Sequence, residues 1–83
     1  MFDHYITFRS LTSAQMGMFA CRKRGILVTL VRAPQSVSYH GCAYSIKVAP
    51  NDIDQVILLF RLENISYEHV FRKKGRQIEE VFL

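Results

Sequence analysis

Twice along this chain a run of alternating apolar residues gives way to one that repeats every three to four positions, and then returns to a strand-like run. His4-Tyr5-Ile6-Thr7-Phe8-Arg9 alternates and is rich in strand formers, so it reads as a first strand. Ser10, Thr12 and Ser13 follow as helix-capping residues. Leu11, Ala14, Met18 and Cys21 then recur at helical steps. Arg22, Lys23 and Arg24 fall in the last turn, where cations suit the helix dipole, and Gly25 stops the helix. Ile26 to Arg32 is a second, β-branched strand. After a polar stretch with Pro34, Ser36, Ser38 and Gly41, the sequence from Cys42 to Val48 alternates as a third strand. It puts Cys42, Tyr44, Ile46 and Val48 on one face. Pro50, Asn51 and Asp52 open a second helix. Its stripe is Ile53, Val56, Ile57 and Phe60, and Asn64 closes it. Ile65 to Phe71 reads as a fourth strand.

In a chain of 83 residues, that order predicts one small α+β domain. The expected architecture is a ferredoxin-like, ACT-like βαββαβ sandwich: a four-stranded antiparallel sheet with two helices on one face. One domain spans 1–83, with a core over 4–71 and a basic C-terminal tail over 72–83. Ile78, Val81 and Phe82 in the tail have helical spacing. A domain this small buries only about 60% of its unfolded surface.

The chain is 49% hydrophobic, too apolar for a disordered protein. No run approaches the roughly 18 apolar residues of a membrane helix, and no signal peptide is expected. Eleven Lys and Arg oppose seven Asp and Glu. The excess is local, in Arg22-Lys23-Arg24 and in Arg72, Lys73, Lys74 and Arg76. No RNA-binding signature accompanies the second run, so it reads as a solvated turn and nucleic acid is not an expected partner. The two cysteines, Cys21 and Cys42, form no CxxC pair and point to a reducing, cytoplasmic setting.

Strand directions place Cys42 at the same end as the start of the first helix, away from both basic clusters. Two readings of Cys42 stand. The first is a reactive thiolate, with Arg9 and Arg32 ending the flanking strands and the helix amides around Ser10, Thr12 and Ser13 close by. His40 would move a proton, and Gly41 precedes the thiol. The second is a small buried core residue, since alternation turns Cys42 towards the helices. Cys21 lies on the apolar helix stripe and reads as core. His40 and Cys42 alone are too few ligands for zinc, and no cofactor is expected.

The pattern resembles the small bacterial selenium/sulfur carrier-like family over roughly Tyr5 to Phe71. The matching pieces are Tyr5-Ile6-Thr7-Phe8 with Ser10 and Ala14, Arg24-Gly25-Ile26, and Ala33-Pro34. The Cys42 strand running into Val48-Ala49-Pro50 with Asp52-Ile53 matches best, and Asn64-Ile65-Ser66-Tyr67 closes the set. Such proteins carry a Ser-rich loop leading to a Cys-Gly pair. Ser36, Ser38, Gly41 and Cys42 fit, while Ala43 replaces the glycine. The resemblance implies a carrier, not a stand-alone enzyme, which takes a persulfide sulfur or selenium on Cys42 from a donor protein and passes it to an acceptor. A non-catalytic ACT-like regulatory or interaction module is the alternative, since one fold serves many functions, and a nucleic-acid-binding module acting through the basic clusters ranks below it. The sheet face away from the helices, with Tyr5, Thr7, Leu27, Thr29, Val31, Ala43 and Ser45, is apolar enough to suggest a homodimer, unless Ile78, Val81 and Phe82 cover it.

Overall fold

The alternating runs become strands in the computed structural model, which describes residues 3–32 and 44–82. In chain order these hold β1 (Asp3–Phe8), α1 (Leu11–Lys23), β2 (Val28–Arg32), β3 (Tyr44–Val48), α2 (Ile53–Leu62), β4 (His69–Lys74) and β5 (Gln77–Glu80). The sheet order is β2-β3-β1-β4-β5, and every neighbouring pair is antiparallel. The described residues form an α+β fold, with five strands in place of the expected four. Cys42 and Ala43, expected to begin the third strand, lie outside the described residues.

One sheet face meets both helices. Ile6 and Phe8 of β1, Val28 of β2, Ile46 and Val48 of β3 and Val70 of β4 join Ala14, Met18 and Cys21 of α1 and Val56, Ile57 and Phe60 of α2 in one core. Phe8 and Phe60 are fully buried, with rings edge to face and centroids 5.9 Å apart. Gly17 of α1 sits directly over them. A Cβ placed there would lie 2.9 Å from Cζ of Phe8 and 3.1 Å from Cζ of Phe60. The helix can approach this closely only because position 17 has no side chain.

The last part of the chain departs most from expectation. The fourth strand starts at His69, not Ile65, and runs through the basic stretch to Lys74. Gly75 and Arg76 then turn the chain, with Lys74 opposite Gln77. Gly75 takes a φ of +61°, the positive value that the first central residue of a two-residue II′ hairpin needs. The basic run is therefore a hairpin arm and not a solvated turn. Across the strands Arg72 meets the carboxylate of Glu79 and, further along, Nδ1 of His69 lies 3.0 Å from Oε2 of Glu80. The helical spacing in the tail does not become a helix. Ile78 packs on one face of the sheet with Tyr5, Phe71 and Val31, while Val81 packs against the helix-side core.

That hairpin also changes the far face. Tyr5 and Phe71 are buried with Ile78 against them, so part of the apolar surface that argued for a dimer is covered within the chain. Thr7 and Ser45 are fully buried on the same face. Thr7 accepts a hydrogen bond from the His69 amide at 3.1 Å, which ties β1 to the start of β4. Leu27, expected on this face, precedes β2 and is exposed. No helix among the described residues is long and apolar enough to cross a membrane.

Two stability predictions follow from this packing. Gly17→Ala gains about 1 kcal/mol of helix propensity, but it forces two immobile rings apart, and overpacking costs about 1–3 kcal/mol. The net expectation is a lower urea midpoint; an unchanged or higher one would show that the rings yield. The second concerns His4, buried between β3 and β4. Burial, and then the charge of Arg72, hold its pKa below 6.5, against weaker opposing effects of Asp54 and Asp3. The unfolded chain therefore takes up a proton at a pH where the folded chain does not, and stability falls as pH drops below about 6.5. His4→Phe should flatten the urea midpoint between pH 7.5 and 5 relative to the parent chain. Parallel curves would rule out the histidine as the source of the slope.

Candidate functional site

At the end of β1 the chain turns into α1 through Ser10. An extended backbone there (φ −143°, ψ 161°) lets its side chain accept a hydrogen bond from the Ser13 amide, at 3.1 Å. The hydroxyls of Ser10 and Ser13 also meet at 3.1 Å, and the Ser10 carbonyl accepts from the Ala14 amide. This is an N-cap that satisfies one of the free amides of the helix start. The first turn holds no acidic residue, so no carboxylate of its own offsets the positive end of the helix dipole.

Arg9 precedes the cap. Its Nε donates to Oε1 of Glu68 at 2.8 Å, and the Glu68 amide donates to the carbonyl of Thr7 at 2.8 Å. Strand β1 thus fixes the acid that holds its own terminal arginine. Arg9, Ser13, Ser66, Tyr67 and Glu68 line an open groove of about 390 Å³. Its floor is anchored by Tyr67, whose ring packs 6.0 Å from that of Phe60. On the other side of the sheet centre, Arg32 ends β2 opposite Tyr44, which in turn lies opposite Phe8. The ends of β1 and β2 and the start of β3 therefore gather at the N-terminal end of α1.

Of the residues singled out from sequence, Arg9, Ser10 and Ser13 share this corner. Thr12 is exposed in the first turn of α1. Arg32 is exposed at the same end but two strands across from Arg9, about 10 Å at ordinary strand spacing. Among the described residues Arg32 has no carboxylate partner, whereas Arg9 is neutralised by Glu68. His40, Gly41 and Cys42 lie outside the described residues. Ser66, Tyr67 and Glu68 carry no site signal in the sequence, because residues 65–71 read there as one strand. Residues 65–68 instead form the connector that leads into β4, and Glu68 is set as a partner by Arg9.

Cys21 is a different kind of thiol. It is fully buried in α1, and burial, followed by the charges of Glu63 and Asp52, pushes its pKa up to about 11. Nucleophilic chemistry needs the thiolate, so Cys21 is a packing residue. Among the described residues no group of three or more His, Cys, Asp or Glu is arranged to hold a metal ion.

A family model described as "Putative Se/S carrier protein-like" matches residues 3–72. No curated protein and no solved structure matches the chain. The matched stretch includes the N-cap, both helices and the central strands, and only the β4–β5 hairpin extends beyond it. With most of its length covered, the chain belongs to the Se/S carrier protein-like family.

Proposed function

We propose that this protein is a sulfur or selenium carrier, cytoplasmic in setting, that uses Cys42 as its accepting thiol and works between a donor and an acceptor protein. The family match over residues 3–72 carries this reading. Three further features support it. Cys21 is buried with a raised pKa, which leaves the second cysteine for thiol chemistry. Cys42 precedes Tyr44 by two positions in the sequence. Tyr44 begins the strand that lies between the ends of β1 and β2. The strand order β2-β3-β1-β4 supports a ferredoxin-like arrangement extended by one strand.

In this reading the Cys42 thiolate attacks the outer sulfur of a donor persulfide. The donor S–S bond breaks, its electron pair leaves with the donor thiolate, and a new S–S bond forms on Cys42. No external oxidant or reductant enters, and a terminal selenium is passed with the same balance. The rate follows the thiolate fraction and access. The helix start around Ser10 to Ser13 and the cation of Arg32 favour the anion, and His40 takes or gives the proton. Arg9 contributes less, because Glu68 already holds it.

A persulfide donor such as a cysteine desulfurase supplied with labelled cysteine should load one labelled atom on the protein. The label should survive Cys21→Ser and vanish with Cys42→Ser; label on Cys21 alone, or on neither cysteine, would overturn the carrier reading. Iodoacetamide at pH 7 should modify Cys42 in the folded chain and reach Cys21 only after unfolding. Arg32→Ala should slow Cys42 alkylation several-fold, and more than Arg9→Ala does. The reverse order would mean that Glu68 does not screen Arg9.

A further inference from the structure

The outer surface of the helix layer carries large apolar side chains that nothing in the core requires. Met16 and Phe19 of α1 are 57% and 53% exposed, and Leu58 and Leu62 of α2 are 57% and 69% exposed. Each pair stands at helical spacing, so each forms one ridge. The ridges flank two grooves of similar size. Met16 and Phe19 line one of about 270 Å³ together with Lys23 and Glu63. Leu58 and Leu62 line the other, of about 280 Å³, together with Arg24. Arg24 and Glu63 bridge at 3.8 Å, so the ion pair is the saddle between the grooves.

The grooves do not stop there. Met16 also lines a smaller groove with Ser13 and Ser66, and those two serines line the groove beside Arg9. A single seam therefore runs along α1, from the apolar grooves near its C-terminal end to the polar corner at its N-cap. The charges along the seam are unbalanced. Its two carboxylates, Glu63 and Glu68, are each held by an arginine, Arg24 and Arg9. Among the described residues Lys23, which lines the first groove, has no carboxylate partner, nor has Arg22 next to it outside the grooves, and both are exposed in the last turn of α1.

We infer that this seam is a docking surface for an acidic amphipathic segment of a partner protein. Apolar side chains of the segment enter the two grooves astride the Arg24–Glu63 bridge, and its carboxylates face Arg22 and Lys23. Exposed apolar patches with a polar rim mark interaction sites, and the uncompensated rim charge selects the sign of the partner. Concave grooves parted by a carboxylate-bearing saddle suit side-chain anchors better than a bilayer surface, which an amphipathic helix would meet with a convex apolar face. The inference concerns a surface of α1 and α2 and does not depend on the chemistry of Cys42.

The test uses the full chain and two designed amphipathic peptides, with Leu along one side and either Glu or Lys on the other, titrated by fluorescence anisotropy and by methyl and amide shifts. The Glu peptide should bind at least tenfold more tightly than the Lys peptide and should shift Met16, Phe19, Leu58 and Leu62. Arg22→Glu with Lys23→Glu should reverse that preference. Leu62→Ser, or Phe19→Ser should the first disturb folding, should weaken the Glu peptide about tenfold with an unchanged urea midpoint. Cys42→Ser should bind as the parent does, which separates failure here from failure of the carrier reading. Equal binding of both peptides, or binding untouched by these variants, overturns the inference. So does self-association that Leu62→Ser abolishes, which assigns the face to a second copy. Peptide binding that fails while phosphatidylserine vesicles are captured through Arg22 and Lys23 assigns it to a membrane.

Discussion

Gly17 lets α1 rest on the edge-to-face rings of Phe8 and Phe60, and much of the molecule is referred to that contact. The rings are fully buried and closely packed, so they set how near α1 stands to the sheet. Phe8 is the last residue of β1 and Phe60 lies late in α2. The same contact therefore fixes the strand end that leads into the N-cap and the helix end that leads into residues 64–68. Tyr67 leans on Phe60, and Glu68 follows it to meet Arg9. The polar corner is thus assembled by core packing. Its serines and charges decorate a geometry that three residues beneath them impose.

Residue patterns carried the elements that face one side of a layer. Tyr44 to Val48 alternates because one face packs on the helices, and Ile53, Val56, Ile57 and Phe60 recur because α2 has one buried stripe. The capping role of Ser10 was visible for a similar local reason, since the helix start needs an oxygen at that position. The C-terminal third was less readable. Ile65 and Tyr67 look like strand residues, but they pack against the core as a connector before β4 begins. Ile78, Val81 and Phe82 have helical spacing by coincidence. In a strand, positions 78 and 81 point to opposite faces, and here Ile78 serves the far face while Val81 serves the helix side. A local period cannot distinguish these cases, because the arm that receives β5, Arg72 to Lys74 at the end of β4, carries no apolar alternation of its own.

Charge was the second quantity that sequence alone misplaced. The basic run looks like a free cluster because its acids, Glu79 and Glu80, come later in the chain. Pairing of β4 with β5 brings Glu79 to Arg72 and Glu80 to His69. An exposed ion pair such as Arg72–Glu79 adds only about 0–1 kcal/mol, so it does not hold the hairpin together by itself. Its effect is on register and on the outward field: like charges opposite one another in a different register would repel. The same logic operates at Arg9, which a linear reading leaves as a bare cation. Glu68 reaches it only through the fold, and Arg32 becomes the cation without a carboxylate partner among the described residues at that end.

These neutralisations give the remaining free charges more meaning than their number suggests. With Arg9 and Arg24 each held by a glutamate, the cations of α1 without a carboxylate partner among the described residues are confined to its last turn. Its capped, acid-free start lies at the other end. A helix of 13 residues separates the two by about 20 Å, and the core under Gly17 keeps that spacing rigid. A partner held at the far end would approach the N-cap end in a defined direction without placing its own acidic groups beside it. Separation has an electrostatic reason as well. Carboxylates drawn towards Arg22 and Lys23 would disfavour any anion held at the N-cap if they crowded it, since like charges oppose ionisation. Beyond a Debye length of roughly 10 Å, ordinary salt screens that effect. The length of α1 therefore allows one helix to attract an acidic partner at one end and favour an anion at the other.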